Sequence, residues 1–386
     1  MSLSRRSFVQ TLGAGAAGAW IGGRGREAGQ FSFDALHAVE QNASGPRIIL
    51  SSNENPAGPG KAVLDAVRGS FTDTGRYPFA KVDELAEMIA KKHGVKPENV
   101  LIGSGSTQLL RTTTHVFTSK TAGLVAAIPA YEECAGYAQL VGHPVTGVKL
   151  NSELKMDLDA LLGASKGAGM VFYCNPNNPV ATAIGGKETR DYLAAVHKSS
   201  PSTTILVDEA YFEYATMPGY ETMIPLSVTD PRVVVARTFS KAYGMAGLRV
   251  GYAIGHKDTI KKMADWDGTG AVNSLGVAAV RAALQQDPAV LAAESKRNTD
   301  ARAFTMKWFS DRGYKPTDSQ TNFIFVDIKR PVRGFRAACA TENVMVGRDF
   351  PPYEQSHCRI SISTMADMQK AVQTFERALA KPAVAA

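Results

Sequence analysis

The chain has 386 residues, with 43 Lys and Arg against 36 Asp and Glu. Four arginines and one glutamate fall within residues 1–30, so three of the seven net positive charges sit there and four are dispersed over the remainder, too mild a balance for a nucleic-acid footprint. The four cysteines (Cys134, Cys174, Cys339, Cys358) and seven scattered histidines show no metal-ligand spacing, which sets a resident metal aside.

At the amino terminus, Ser4-Arg-Arg-Ser-Phe-Val-Gln10 precedes a weakly apolar run from Thr11 to Gly23. That run is shorter than the roughly 20 residues that span a bilayer. Paired arginines in this setting resemble a twin-arginine export signal, with a disordered basic tail as the alternative. Cleavage points at Ala28 and around Ala17-Gly-Ala19 both remain open. Export by that machinery implies a periplasmic protein that folds first, so that a cofactor attached beforehand travels with it and the cysteines stay free.

Further along, Val100 to Leu110 (VLIGSGSTQLL) reads as strand, Gly-rich turn and helix, and amides at such a helix start bind phosphate. No Gly-Lys-Ser/Thr follows and the Gly-x-Gly-x-x-Gly spacing is lacking, which disfavours nucleotide and dinucleotide sites. Leu124 to Ile128 and Met170 to Tyr173 read as strands. The second runs into Cys174-Asn-Pro-Asn-Asn-Pro179, an irregular turn whose asparagines either satisfy their own backbone or reach a ligand. Cys174 reads as a small buried filler. Ile205 to Val207 is a buried strand that delivers Asp208 to its carboxyl end, where open α/β sheets place ligand crevices. There Asp208 is either a helix N-cap or a partner for a protonated ring nitrogen, with Tyr211 close behind.

A further strand, Val233 to Ala236, leads into Thr238-Phe-Ser-Lys-Ala-Tyr-Gly-Met-Ala-Gly-Leu-Arg-Val-Gly-Tyr252. A lysine amine such as Lys241 forms Schiff bases with aldehyde cofactors, and Arg249 suits a phosphate. Alternating strand-like and helix-like stretches from about 72 to 270 indicate a mostly parallel sheet covered by helices. A long helix over Pro288 to Asp311 leads to a smaller lobe with strands at Asn322 to Asp327 and Cys358 to Ile362. A final helix runs from Ala366 to Leu379, followed by a frayed tail. Arg348 precedes Arg359 by eleven positions and either adds a second anion contact or pairs with Asp349 or another acid.

Nine segments occur in one order: Asn53-Glu-Asn-Pro56, Arg76-Tyr-Pro78, Gly103 to Thr107, Pro129-Ala-Tyr131, Asn175 to Pro179, Asp208 to Tyr211, Ser240-Lys241, Arg249 and Arg359-Ile-Ser-Ile362. Over about residues 47 to 375 the chain thereby resembles the fold-type I pyridoxal-phosphate aminotransferases of class I/II, and most of all their histidinol-phosphate aminotransferase-like group. The resemblance implies an α/β fold, with a large domain built on a mostly parallel seven-stranded sheet plus a smaller α/β domain. It divides the chain into a leader (1–30), a segment packing with the small domain (31–70), the cofactor domain (71–287) and the small domain (288–386).

The same resemblance implies pyridoxal 5'-phosphate as cofactor and amino transfer between an amino donor and a 2-oxo acid. Lys241 would carry the internal aldimine and move the substrate proton. Asp208 would pair with the pyridine nitrogen, Tyr211 and Asn178 with the ring oxygen, and Tyr131 would lie on the ring face. Gly105, Ser106, Thr107, Thr238, Ser240 and Arg249 would cradle the phosphate, joined by Tyr77 from the second subunit of a homodimer. Asn53, Arg348 and Arg359 would face the substrate, with Arg359 clamping its anionic group, ordinarily a carboxylate and in histidinol phosphate the phosphate. Three departures bear on substrate choice rather than cofactor binding: Pro179-Val-Ala181 replaces Pro-Thr-Gly, Gln108 an acid, and Phe79 an Asp. A decarboxylase or lyase on the same scaffold, resembling phosphothreonine decarboxylase, is the alternative activity, and a non-catalytic exported binding protein a third. Export outside the cytoplasm sits poorly with histidine biosynthesis.

Overall fold

Three strands made almost wholly of apolar residues anchor the protein: Met170–Cys174, Thr204–Asp208 and Val233–Thr238, every residue of them buried. Continuous apolar runs of this kind belong to strands covered on both faces. In this computed structural model, which describes residues 46–267 and 272–380, they are β5, β6 and β7 of a seven-stranded sheet. The other members are β2 (Val100–Gly103), β3 (Leu124–Ile128), β4 (Val145–Lys149) and β8 (Gly251–Gly255). The leader expected over residues 1–30 lies outside the described residues.

The sheet order is β2-β8-β7-β6-β5-β3-β4. Strands β4, β3, β5, β6 and β7 are parallel, and β8 runs antiparallel to both of its neighbours, β7 and β2. Side chains alternate between faces as the pleat requires. Val171, Tyr173, Ile205, Val207, Val233 and Val235 join one core cluster. Met170, Phe172, Leu206, Val234 and Ala236 join the other.

A separate core gathers around β10 (Phe323–Asp327) and β12 (His357–Ser361), which pair antiparallel. Strand β9 (Lys315–Pro316) extends that sheet on the far side of β10. Aromatic and aliphatic side chains of the helices Pro288–Ser310, Val332–Ala340 and Met365–Ala380 fill this core. Pro288 sits at the first helical position with the Asp287 carboxylate capping the Ala289 amide at 2.8 Å, which accounts for the sharp start of the long helix. Finally, β1 (Ile48–Leu50) pairs in parallel with β11 (Val344–Val346). The chain immediately after β1 is thereby brought beside residues more than 300 positions downstream, and Asn53 N donates to Ser361 Oγ at 2.9 Å.

Candidate active site

Sheet register explains why distant segments meet. Strands β3, β5, β6 and β7 share one direction, so their carboxyl ends lie along one edge. Cys174 pairs with Asp208, Asp208 with Ala236, and Gly251 lies between Thr238 and Gly103. The loops leaving these ends carry Tyr131, Asn178, Tyr211 and Lys241, so the crevice forms where α/β sheets ordinarily form one.

Asp208 is 3% exposed, and its Oδ1 accepts the Ala210 amide at 3.1 Å. No helix starts there: only a short 3-10 turn, Phe212–Tyr214, follows, so the carboxylate closes a local turn rather than capping a helix. Desolvation pushes its pKa up to about 7, and the neighbouring Glu209 charge adds to the rise. A carboxyl group held so far above its ordinary value is a natural partner for a buried cation.

Lys241 Nζ donates to the Ser52 carbonyl at 3.3 Å and lies 5.9 Å from the centre of the Tyr211 ring. Desolvation, reinforced by the Arg359 charge, lowers its pKa to about 8. An amine at that value is uncharged over a useful fraction near neutrality and serves as nucleophile and base. The Tyr211 hydroxyl accepts from Asn53 Nδ2 at 3.1 Å, and burial pushes its pKa upward. Asn53 itself has φ 56°, in the left-handed region, and is held there by Ser361 and by Asn322 Nδ2, which donates to its carbonyl at 2.9 Å.

On the other side of the crevice, the helix Gly105–Phe117 begins without a side-chain cap on its first amides. Ser106 and Thr107 are half-buried in that first turn, and the Thr107 hydroxyl bonds the Tyr131 phenol. Arg249 completes the cradle: its Nη1 reaches the Ala246 carbonyl at 2.9 Å and Ser240 Oγ at 3.4 Å. Thr238 Oγ1 in turn donates to Ser240 Oγ at 2.9 Å. Arg249 is strained, at φ 53° and ψ 64°. Two glycines leave the space: a Cβ on Gly105 would stand 2.2 Å from Arg249 Nη2, and one on Gly251 would stand 2.3 Å from the Ser106 amide nitrogen. Amides, hydroxyls and a guanidinium around such a gap suit a phosphate. A cavity of about 480 Å³ runs from Ser104, Thr107 and Arg249 towards His115, Tyr137 and Trp266.

Arg359, on β12, is 8% exposed. Its Nη1 donates to Asn178 Oδ1 at 2.7 Å and its Nη2 to the Ser51 carbonyl at 2.6 Å, while its buried Nε has no partner. Burial pulls its pKa down to about 10. A buried guanidinium with an unanswered donor is suited to a carboxylate. Arg348 takes the acid-paired option: its Nη2 contacts both Glu132 oxygens at 2.5 and 2.6 Å, and Asp349 instead faces Arg336 at 3.5 Å. Tyr77 is 85% exposed in the single chain and stacks on Phe79 with ring centres 5.4 Å apart.

The residues expected to face a pyridoxal-phosphate ring and a substrate carboxylate therefore converge, Tyr77 excepted, and the cradle and the buried Asp208 fit the cofactor. Sequence reasoning overlooked Glu132, Phe350, Ser361, Asn322 and the carbonyls of Ser51 and Ser52. Carbonyl acceptors leave no trace in residue type, and Glu132 reads as one surface acid beside another, Glu133, which pairs with Arg111.

The family model described as aminotransferase class I and II matches residues 46–375. A histidinol-phosphate aminotransferase of Moorella thermoacetica is 32% identical over 86% of this chain and 84% of its own. An aromatic amino acid aminotransferase of Thermobifida fusca is 32% identical over 82% of this chain and 86% of its own. The histidinol-phosphate aminotransferase of Sinorhizobium meliloti, solved with pyridoxal-5'-phosphate, superposes with a TM-score of 0.81 at 26% identity, covering 89% of this chain and 94% of that one.

Proposed function

The chain belongs to the class I and II aminotransferase family, is a pyridoxal 5'-phosphate-dependent transaminase of fold type I, and from that premise we propose how its own residues divide the work. The bound cofactor supplies the electron sink for charge leaving the substrate Cα–H bond. Asp208 would pair with the ring nitrogen, Tyr211 and Asn178 with the ring oxygen, and Tyr131 with the ring face. Ser106, Thr107, Thr238, Ser240 and Arg249 would hold the phosphate, with Gly105 leaving room for it. Lys241 would hold the cofactor aldehyde, and its lowered amine would serve as the base that moves the substrate's proton. Arg359 receives the α-carboxylate, with Asn53 steadying Tyr211 beside it.

The single observation that carries this reading is the meeting of Lys241, Asp208 and Tyr211 at the carboxyl ends of one sheet with Arg359 of β12, which bonds Asn178 beside them, with a lowered amine and a raised carboxyl. The substrates are an α-amino acid donor and a 2-oxo acid acceptor. The test is a screen of amino donors against the purified, cofactor-loaded chain, following each half-reaction by its visible spectrum. Amino transfer to 2-oxoglutarate or pyruvate supports the reading, and carbon dioxide release without transfer overturns it in favour of a decarboxylase.

Two further elements belong to the proposal. The protein works as a homodimer in which each subunit lends Tyr77 to the other's phosphate site, supported by the exposure of that ring. It is exported to the periplasm already folded, supported by Arg5-Arg6 ahead of the apolar run. Original protein that stays in the cytoplasm removes the export element, and an Arg5→Lys/Arg6→Lys chain that leaves the cytoplasm at the original rate removes its twin-arginine route.

A further inference from the structure

Arg359 and Arg348 both pack against the ring of Phe350. The Phe350 ring is 3% exposed and lies between two guanidinium groups, with Arg359 Cζ 4.6 Å and Arg348 Cζ 4.4 Å from its centre. With Arg359 holding an α-carboxylate, Arg348 is a second cation beside it for a distal anion of the same substrate. Arg348 is already engaged. Glu132, next to Tyr131 at the start of the helix Glu133–Leu140, reaches across from the seven-stranded sheet and contacts it through both oxygens. The adjacent Glu133 turns to Arg111 instead, so one carboxylate of the pair is committed to the crevice and the other is not.

We propose that Glu132 is a specificity-determining residue, a built-in carboxylate that occupies Arg348 and competes with the distal anion of dicarboxylate or phosphorylated substrates. The inference rests on Arg359 being the α-carboxylate receptor. A ligand carrying a second anion must displace Glu132 from Arg348 and then sit beside the displaced negative charge. A ligand with a neutral or aromatic side chain has no second anion to place and leaves the ion pair closed. Glu132 and Arg348 are both partly exposed, with side chains 56% and 36% accessible, so solvent weakens the pair and the discrimination is graded rather than absolute. Two charged groups bear on Arg348 and enter the competition: Glu132 directly, and Arg359 across the ring.

The test uses the cofactor-loaded full chain and two unreactive carboxylates, glutarate with an anion at each end and 3-phenylpropionate with a neutral ring. Dissociation constants are measured calorimetrically for the original chain, for Glu132→Gln and for Glu132→Gln/Arg348→Gln. Glu132→Gln is expected to tighten glutarate about three- to tenfold, in keeping with a partly exposed pair, and to shift 3-phenylpropionate less than twofold. Adding Arg348→Gln is expected to abolish the gain. Equal shifts for both ligands, an unchanged glutarate constant, a gain that survives loss of Arg348, or no binding of either ligand overturns the inference. Visible absorbance is recorded in parallel: its absence from all three proteins sinks the cofactor reading instead, while the ratio of the two constants still decides the role of Glu132.

Discussion

Arg359 Nη1 donates to Asn178 Oδ1 at 2.7 Å, so the group suited to a substrate carboxylate and the group proposed for the cofactor's ring oxygen share one hydrogen bond. Replacement by Arg359→Gln is expected to lower kcat/KM for amino acid donors on the order of a hundredfold, the scale of losing a charge-assisted, two-pronged contact of about 3 kcal/mol. Desolvation first, and the Arg359 charge second, lower the Lys241 amine. The pH midpoint for cofactor uptake by the apoprotein should accordingly move upward in the variant. A midpoint that stays in place would show that the charge does not act on the lysine.

Asp208 offers a pH test with a defined sign. Its pKa rises from 3.8 to about 7 in the folded chain because burial penalises the charge. Between those values the folded state binds more protons than the unfolded one, so stability of the cofactor-free chain falls as pH climbs. Asp208→Asn removes that loss. The apoprotein of the variant should gain thermal stability relative to the original, growing from about pH 4 to about pH 7 and level above, by at most a few kcal/mol at about 1.4 kcal/mol per unit. Cofactor affinity should fall at the same time. A stability difference independent of pH would contradict the burial argument.

Gly251 tests the cradle. A Cβ there meets the Ser106 amide nitrogen at 2.3 Å, and backbone, unlike the tip of a side chain, yields only by moving the helix start. Gly251→Ala should cost about 1–3 kcal/mol in a denaturant titration and weaken cofactor binding at least tenfold. Normal cofactor affinity in a destabilised variant would separate the packing role from the phosphate role.

The proposed exchange of Tyr77 between subunits predicts complementation. Tyr77→Ala and Lys241→Ala chains should each be nearly inactive alone. When refolded together, the mixed dimer has one site with an intact lysine and the partner's intact tyrosine, and activity should reappear at up to about a quarter of the original per site, the statistical yield of random pairing. Mixtures no more active than the separate variants would place Tyr77 in its own subunit's site or outside any site.

Much of the crevice could be read from residue order because its chemistry is carried by unusual residue types at strand ends. Asp208 follows a run that can only be a buried strand, and Lys241 sits among glycines and hydroxyls. The strand expected over Leu124 to Ile128 matches β3 residue for residue, and the helix expected from Pro288 to Asp311 ends one residue earlier, at Ser310. What escaped was set by register and long-range closure. The antiparallel insertion of β8 between β2 and β7 depends on which partners the sheet accepts, not on the apolar pattern of Gly251–Gly255. Likewise the Arg348 partner, Glu132, lies 216 positions away, and nothing local in either segment points to the other.

The three-residue strand β1 has a consequence for when the enzyme comes into being. Its partner β11, and Arg359 beyond it, leave the ribosome long after β1, and Arg359 then grips the Ser51 carbonyl 308 positions upstream. Loops that close over such spans form late in folding. A growing chain can thus complete most of its central sheet while still unable to hold an amino acid, and competence arrives only once β11 and β12 have been made.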